Sequence, residues 1–315
     1  PLRVLSAWAV AAVVRRELAD GQPAVVHAQG EEGARLHRER AGRRFALVAT
    51  PRYPSLPRGL FAPRRSAMRA LSLLAGYGKY AALGVALRTA DVCAPPSRYG
   101  GDLIRRAYQL PAERIHPIHN GVPAEFLEHE WRPAPNYDRR PALFFGRFAQ
   151  SKGPDVLLRA LHELGKEAPP VRLVGRGPYR ATMARMCEQL GLRRKVELRE
   201  WASHDELGRL VAESSMVILP SREENFALAA LAAMAVGAPL ITSAVGGVPE
   251  LVEHGESGML CPSGDVTMLA DAIRQLRARP EHAAALGARA RRRVREHFTW
   301  EIAVRKFESL YARLM

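Results

Sequence analysis

The chain has 315 residues, 47% of them hydrophobic, with a formal net charge of +15 carried mostly by arginine. That length exceeds what one hydrophobic core usually organises and predicts two domains. No run of 18 apolar residues occurs, which excludes a membrane-spanning helix in this sequence.

In chain order, "PLRVLSAWAVAAVVRREL" opens as a helix with an apolar face; its charge comes too early for a signal peptide. Strand-like and helix-like pieces then alternate: "AVVHAQ" (24–29), "FALVAT" (45–50), a long helical run over 64–89, "DVCAPP" (91–96), a helix around 100–108 and "IHPIHNGV" (115–122). Such alternation implies a parallel sheet with crossover helices. Only 23 residues precede "AVVHAQ", too few for the strand, glycine-rich turn and further units that a complete half of this type needs, so the N-terminal half is expected to be incomplete. "EHEWRPAPNYDRRP" (128–141), rich in proline and charge, reads as a linker.

A second alternating set follows. Strands are expected at 142–147, 171–177, 195–200, 215–220, 238–243 and 257–262. Helices are expected at 153–164, 179–191, 204–214, 266–279 and 281–297, with a last amphipathic helix over 298–315. The domain expectation is 1–135, 136–297 and a C-terminal helix, 298–315, crossing back to the first domain. Two Rossmann-like halves make a cleft, and such sheets bind ligands beyond the strand C-termini.

The positive charge fits a nucleic acid, an anionic membrane, a phosphorylated ligand or an arginine-biased genome. No basic–aromatic array or recognition helix accompanies it, so nucleic acid is not expected as a partner. "ARARRRVREH" (288–297) lies on a helical pattern and reads as a solvated face, and peripheral contact with an anionic membrane stays open. Cys93, Cys187 and Cys261 form no C-x-x-C pair and read as small buried hydrophobes in a reducing cytoplasm.

The residues with chemistry cluster in the second set. Arg147 and Lys152 lie just past a strand end, where sheets of this kind bind phosphate; the alternative is an ordinary solvated loop pair. A guanidinium clamps two oxygens at once. Gly146 closes a strand-to-loop turn, and Gly175 with Gly177 follows the next strand, where glycine lets a backbone approach a ligand. Gly246, Gly247 and Pro249 open another helix with Glu250 in its first turn, as ordinary helix starts do. In "PSREENFALAALAAMAVGAP" (220–239) a hydrophobic strand runs into Glu223 and Glu224, then into an alanine-rich helix ending at Gly237. The N–H groups of Asn225, Phe226, Ala227 and Leu228 are expected to begin that helix, its dipole available to an anion. Glu224 serves either such a ligand site or the helix N-terminus alone.

Taken in order, "IHNGV" (118–122), "FFGRFAQSKGPDVLLRAL" (144–161), "LVGRGP" (173–178), "WASHDEL" (201–207), 218–252, "GMLCPSGD" (258–265) and "FTWEIAVRKFESLY" (298–311) resemble the GT-B glycosyltransferases. Within them they resemble the large retaining family called glycosyltransferase group 1. The similarity covers about 91–315 well and 1–90 weakly. It implies an α/β fold of two Rossmann-like domains and transfer of a hexose or N-acetylhexosamine from a nucleotide-diphosphate sugar, UDP-linked first and GDP-mannose next. The acceptor would be a small molecule or a lipid, with no metal and no other cofactor.

The resemblance further implies that Arg147 and Lys152 grip the diphosphate and that Glu224 meets the transferred sugar. The family's second glutamate, eight residues on, takes the ribose hydroxyls; here that position is Ala232. The substitution was made to weaken an enzyme, another side chain serves the ribose, or the chain binds a donor with poor turnover. Where members carry a catalytic-site histidine after the strand "ALVATPRYP", this sequence has Arg52, which donates to a hydroxyl or phosphate but is no base. His27 stands where a His-x-His pair is frequent, Gln29 replacing the second; it is catalytic or a hydrogen-bonded core histidine. His119, beside Asn120 and Gly121, contacts the acceptor or is structural. The alternative functions are a nucleotide-sugar-binding protein with weak or no transfer and another GT-B enzyme such as a nucleotide-sugar epimerase.

Overall fold

The structure, a computed structural model, describes residues 13–14, 16–18, 24–36, 45–51, 78, 80–133 and 137–315. It divides into two compact units, one of residues 1–119 with 304–315 and one of residues 120–303.

In the first unit β1 (Ala24–Gln29), β2 (Phe45–Thr50) and β3 (Val92–Cys93) form a parallel sheet in that order. Leu47 and Ala49 on β2 pack with Leu36, Leu87 and Ile104 as its core. A helix over 80–89, α1, ends against Arg114, whose Nη2 donates to the carbonyls of Leu87, Arg88 and Ala90. Helix α2 (Arg98–Tyr108) starts on Ser97, whose Oγ accepts from Gly100 N at 2.9 Å. Most of the expected N-terminal helix, and the expected helical run before residue 78, lie outside the described residues. "IHPIHNGV" is not a strand: Ile115 bridges Cys93 and Val122 bridges Thr299 as isolated pairs. Pro117 in its middle has no N–H to give a ladder.

The second unit holds a six-stranded, all-parallel sheet ordered β6-β5-β4-β7-β8-β9. Its strands are β4 (Ala142–Phe145), β5 (Val171–Val174), β6 (Val196–Arg199), β7 (Val217–Leu219), β8 (Leu240–Ser243) and β9 (Met259–Cys261). Central strands such as "ALFF" and "VIL" are buried throughout, as strands covered on both faces must be. This is the doubly wound order, with its switch point between β4 and β7. The helices of this unit are α3 (Glu125–Glu128), α4 (Pro154–Leu164), α5 (Arg180–Gln189), α6 (His204–Glu213), α7 (Leu228–Val236), α8 (Val248–Leu251), α9 (Val266–Ala278) and α10 (Pro280–His297); α11 (Trp300–Ala312) begins here and continues into the first unit, which takes the chain from residue 304.

Two expectations for this unit change. The described residues of 128–141 do not form a linker. Trp131 and Tyr137 are 5% and 4% exposed, edge-to-face at 5.9 Å, and Trp131 Nε1 donates to Ser214 O at 2.7 Å. Burial of two aromatics outweighs the loop-like composition around them. Nor is the arginine run of α10 only a solvated face. Arg291 donates to Leu127 O (3.0 Å), His129 O (2.5 Å) and Ala235 O (2.6 Å). Arg293 donates to Leu251 O and Glu250 O, and Arg289 to Glu256 O and Gly255 O. Each satisfies carbonyls that a helix or turn leaves open. Part of the positive charge is therefore structural.

Candidate active site

The loops after β4 and β7 meet at the switch point, and they carry the charged residues. Lys152 Nζ donates to Glu224 Oε1 at 2.6 Å, and Ser221 Oγ donates to the same oxygen at 2.9 Å. The Lys152 and Glu224 side chains keep 26% and 11% of their exposure. Glu224 Oε2 has no protein partner among the described residues. Arg147 is exposed and makes no ion pair or hydrogen bond among them. The pair thus has a free carboxylate oxygen, two unused ammonium protons and a guanidinium from the same loop as Lys152 with all its donors open.

Glycines let these loops come together. Gly153 adopts φ 65°, and a Cβ there would overlap the carbonyl oxygen of Pro220 on the β7 side. Gly175 and Gly177 crowd the backbones of Gly146 and Phe148 in the same way, and Phe148 N donates to Arg176 O at 2.8 Å. Close backbone approach is what these positions require, and protein backbone meets it. At Gly146 a Cβ would face open space, although its φ is 141°.

Helix α7 begins at Leu228 rather than at Asn225, with Ala227 as its N-cap. Phe226 is buried, its ring 6.3 Å from that of Phe298, and this anchor turns the chain before the helix can start. Leu228 is 52% exposed and Asn225 half-buried, while Ala227 and Ala232 are 5% and 3% exposed. A methyl group therefore occupies position 232 within the packed second unit.

The remaining candidates are His27, Arg52, His119 and Asn120. His27 is closed in: its Nε2 is 2.7 Å from Thr50 Oγ1 and its Nδ1 2.6 Å from Tyr311 Oη. Thr50 spends its proton on Ala94 O at 2.9 Å, so it accepts from His27 Nε2–H, and Tyr311 donates to Nδ1. Burial lowers the His27 pKa. Arg52 lies outside the described residues. His119 and Asn120 are half-buried. A Cβ on Gly121 would collide with the backbone of Thr299 and Trp300, so that glycine serves the packing of this turn. Cys93, Cys187 and Cys261 are all buried free thiols, and burial raises Cys93 and Cys261 to about 11. Among the described residues no group of three or more His, Cys, Asp or Glu could hold a metal, and no helix is long and apolar enough to cross a membrane.

Sequence reasoning missed Ser221, Asp155 and Arg222. Arg222 Nη1 and Nη2 donate to Asp155 Oδ1 and Oδ2 at 2.7 and 2.6 Å, and that bond raises the arginine's pKa. The partners stand 67 residues apart, and no local pattern couples them.

A parallel sheet in this doubly wound order defines a Rossmann-type unit. The profile of the family described as Glycosyl transferases group 1 matches residues 126–293, and that of Glycosyltransferase Family 4 matches 1–126. The chain belongs to the group 1 glycosyltransferases. It is 32% identical over 190 residues to Alpha-D-kanosaminyltransferase of Streptomyces kanamyceticus, covering 57% of this chain and 49% of that protein. It is 31% identical over 228 residues to D-inositol 3-phosphate glycosyltransferase 1 of Catenulispora acidiphila, covering 67% and 54%. The chain thus spans about half the length of these curated relatives. Sucrose-phosphate synthase from Thermosynechococcus elongatus superposes with a TM-score of 0.76 at 24% identity, over 96% of this chain and 76% of that one. Anabaena HepE, solved in complex with UDP, gives 0.76 at 20% identity over 96% and 81%. These likenesses show the GT-B fold.

Proposed function

We propose that the protein is a metal-independent, retaining glycosyltransferase that moves a hexose or N-acetylhexosamine from a nucleotide-diphosphate sugar to an acceptor hydroxyl. UDP is the preferred nucleotide and GDP the second. The observation that carries this is the Lys152–Glu224 pair, 2.6 Å apart over the switch point with the exposed Arg147 on the same loop. HepE has been solved with UDP and with UDP-glucose. A small polyol or an aminocyclitol is the first choice of acceptor, the polyol in keeping with the name of the D-inositol 3-phosphate relative above; a lipid at an anionic membrane surface is the second choice.

As the bond from the sugar to the diphosphate breaks, negative charge grows on the leaving oxygens. Lys152 and Arg147 supply cations there, where preorganised charge contributes most to rate. Lys152 turning to phosphate releases Glu224 to accept hydrogen bonds from sugar hydroxyls. The acceptor oxygen attacks from the face the diphosphate leaves, and its proton passes to the departing phosphate, so no protein nucleophile is required.

Ala232 favours a second reading, a nucleotide-sugar-binding protein with weak turnover. A charged hydrogen bond absent at the ribose costs about 1.5–3 kcal/mol, roughly ten- to a hundredfold in affinity. Incubation with UDP-glucose, UDP-N-acetylglucosamine and GDP-mannose, with nucleotide release followed in EDTA, separates the two. Release confirms transfer or hydrolysis without metal, and a thermal shift without release supports the second reading. Ala232→Glu is expected to raise turnover; no change counts against the enzyme.

A further inference from the structure

The loops bearing Lys152 and Glu224 are joined by two sets of side-chain bonds, beside a backbone bond from Glu223 N to Ser151 O at 3.3 Å, and only one of the two side-chain sets survives ligand binding unaltered. The first is the Lys152–Glu224 contact itself. An ammonium that turns toward a diphosphate gives up part of its bond to Glu224, so this join loosens when it is used. The second is Arg222. Its Nη1 donates to Gln150 O at 2.8 Å and to Asp155 Oδ1 at 2.7 Å, and its Nη2 to Asp155 Oδ2 at 2.6 Å. Its backbone N donates to Ser151 O at 2.8 Å. Asp155 is 7% exposed and sits in the first turn of α4, where the helix dipole favours its charge. Gln150 and Ser151 lead directly into Lys152, and Ser221 and Arg222 lead into Glu224. A planar fork on a carboxylate fixes distance and direction together.

We propose that Arg222 and Asp155 form a positioning pair that holds Lys152 at the separation from Glu224 at which a diphosphate is gripped. This rests on the donor-binding reading above. Neither residue touches the ligand; both act through the loop that presents Lys152.

The test measures binding of UDP and GDP, each against its own nucleoside, to the 315-residue chain and its variants. Arg222→Lys keeps the charge and loses the fork. It is expected to weaken diphosphate binding about tenfold, to leave nucleoside binding unchanged, and to keep Tm within about 2 °C. In a Lys152→Ala background the same change is expected to have no further effect, because a positioning residue has nothing left to position. Asp155→Asn is expected to repeat this pattern and serves if Arg222→Lys does not fold. Equal losses for nucleotide and nucleoside, an undiminished effect without Lys152, or no effect on diphosphate binding overturns the pair's role. If diphosphate binding depends on Lys152 and not on Arg222, the inference fails alone. If neither diphosphate binds more tightly than its nucleoside, the donor reading fails and takes the inference with it.

Discussion

Lys152–Glu224 in the second unit and His27–Thr50–Tyr311 in the first are both polar clusters at parallel-sheet strands, and they differ in what they leave unspent. Around His27 both ring nitrogens are paired at 2.6 and 2.7 Å, and the Thr50 hydroxyl donates its hydrogen bond to a backbone carbonyl. Phe307 lies with its ring centroid 5.1 Å from that of the imidazole. Around Glu224 one carboxylate oxygen holds both protein partners. A closed cluster has exhausted its hydrogen-bonding capacity on the fold. An open one keeps capacity for a ligand. Candidate residues of similar appearance in sequence are separated by this count of used and unused donors and acceptors.

The comparison breaks most visibly at Lys152. Lys152→Ala is expected to lower turnover on the order of 10²–10³, the scale of losing one preorganised charge at a leaving group, with nucleotide release as the readout. Glu224 keeps the Ser221 hydroxyl, so the fold is expected to persist. A variant that turns over at the parent's rate would move the site away from the switch point.

His27→Ala is expected to do the reverse. It strands the Thr50 and Tyr311 hydroxyls, at about 1–2 kcal/mol, and lowers Tm by about 4 °C. Nucleoside diphosphate binding, followed by calorimetry, is expected to match the parent. A loss of binding with unchanged Tm would make His27 a functional residue and erase the contrast.

Much of this was readable beforehand. The strands "AVVHAQ" and "FALVAT" run over the residues the sequence assigns them, because continuous β-branched and apolar runs bounded by turns have few other uses. The charged loop after β4 is legible as a unit because Arg147, Lys152, Gly146 and Gly153 share one short stretch. What stayed hidden depends on pairings distant in sequence. Trp131 and Tyr137 are buried in a stretch whose composition assigns it to solvent. Arg222 reads as one more arginine until Asp155 is seen opposite it. Gly175 and Gly177 read in sequence as room for a ligand's approach; their spacing does not reveal that a Cβ at either would also meet the chain's own backbone, at Gly146 and Phe148.

The smallest expected effect sharpens the contrast from the side of pH. Burial lowers the His27 pKa below its ordinary value near 6.5, so the folded chain holds this imidazole neutral where the unfolded chain protonates it. As pH falls below about 6.5 the unfolded state takes up the proton first, and stability declines until the folded pKa is passed. One such group contributes at most about 1.4 kcal/mol per pH unit. Tm measured from pH 7.5 to 5.5 for the parent and for His27→Ala isolates that share, since the other histidines are common to both. The parent is expected to lose more stability across the interval, and the two curves to converge toward acid. Parallel curves would mean that the imidazole titrates alike in both states, which a closed, desolvated ring at β1 does not permit.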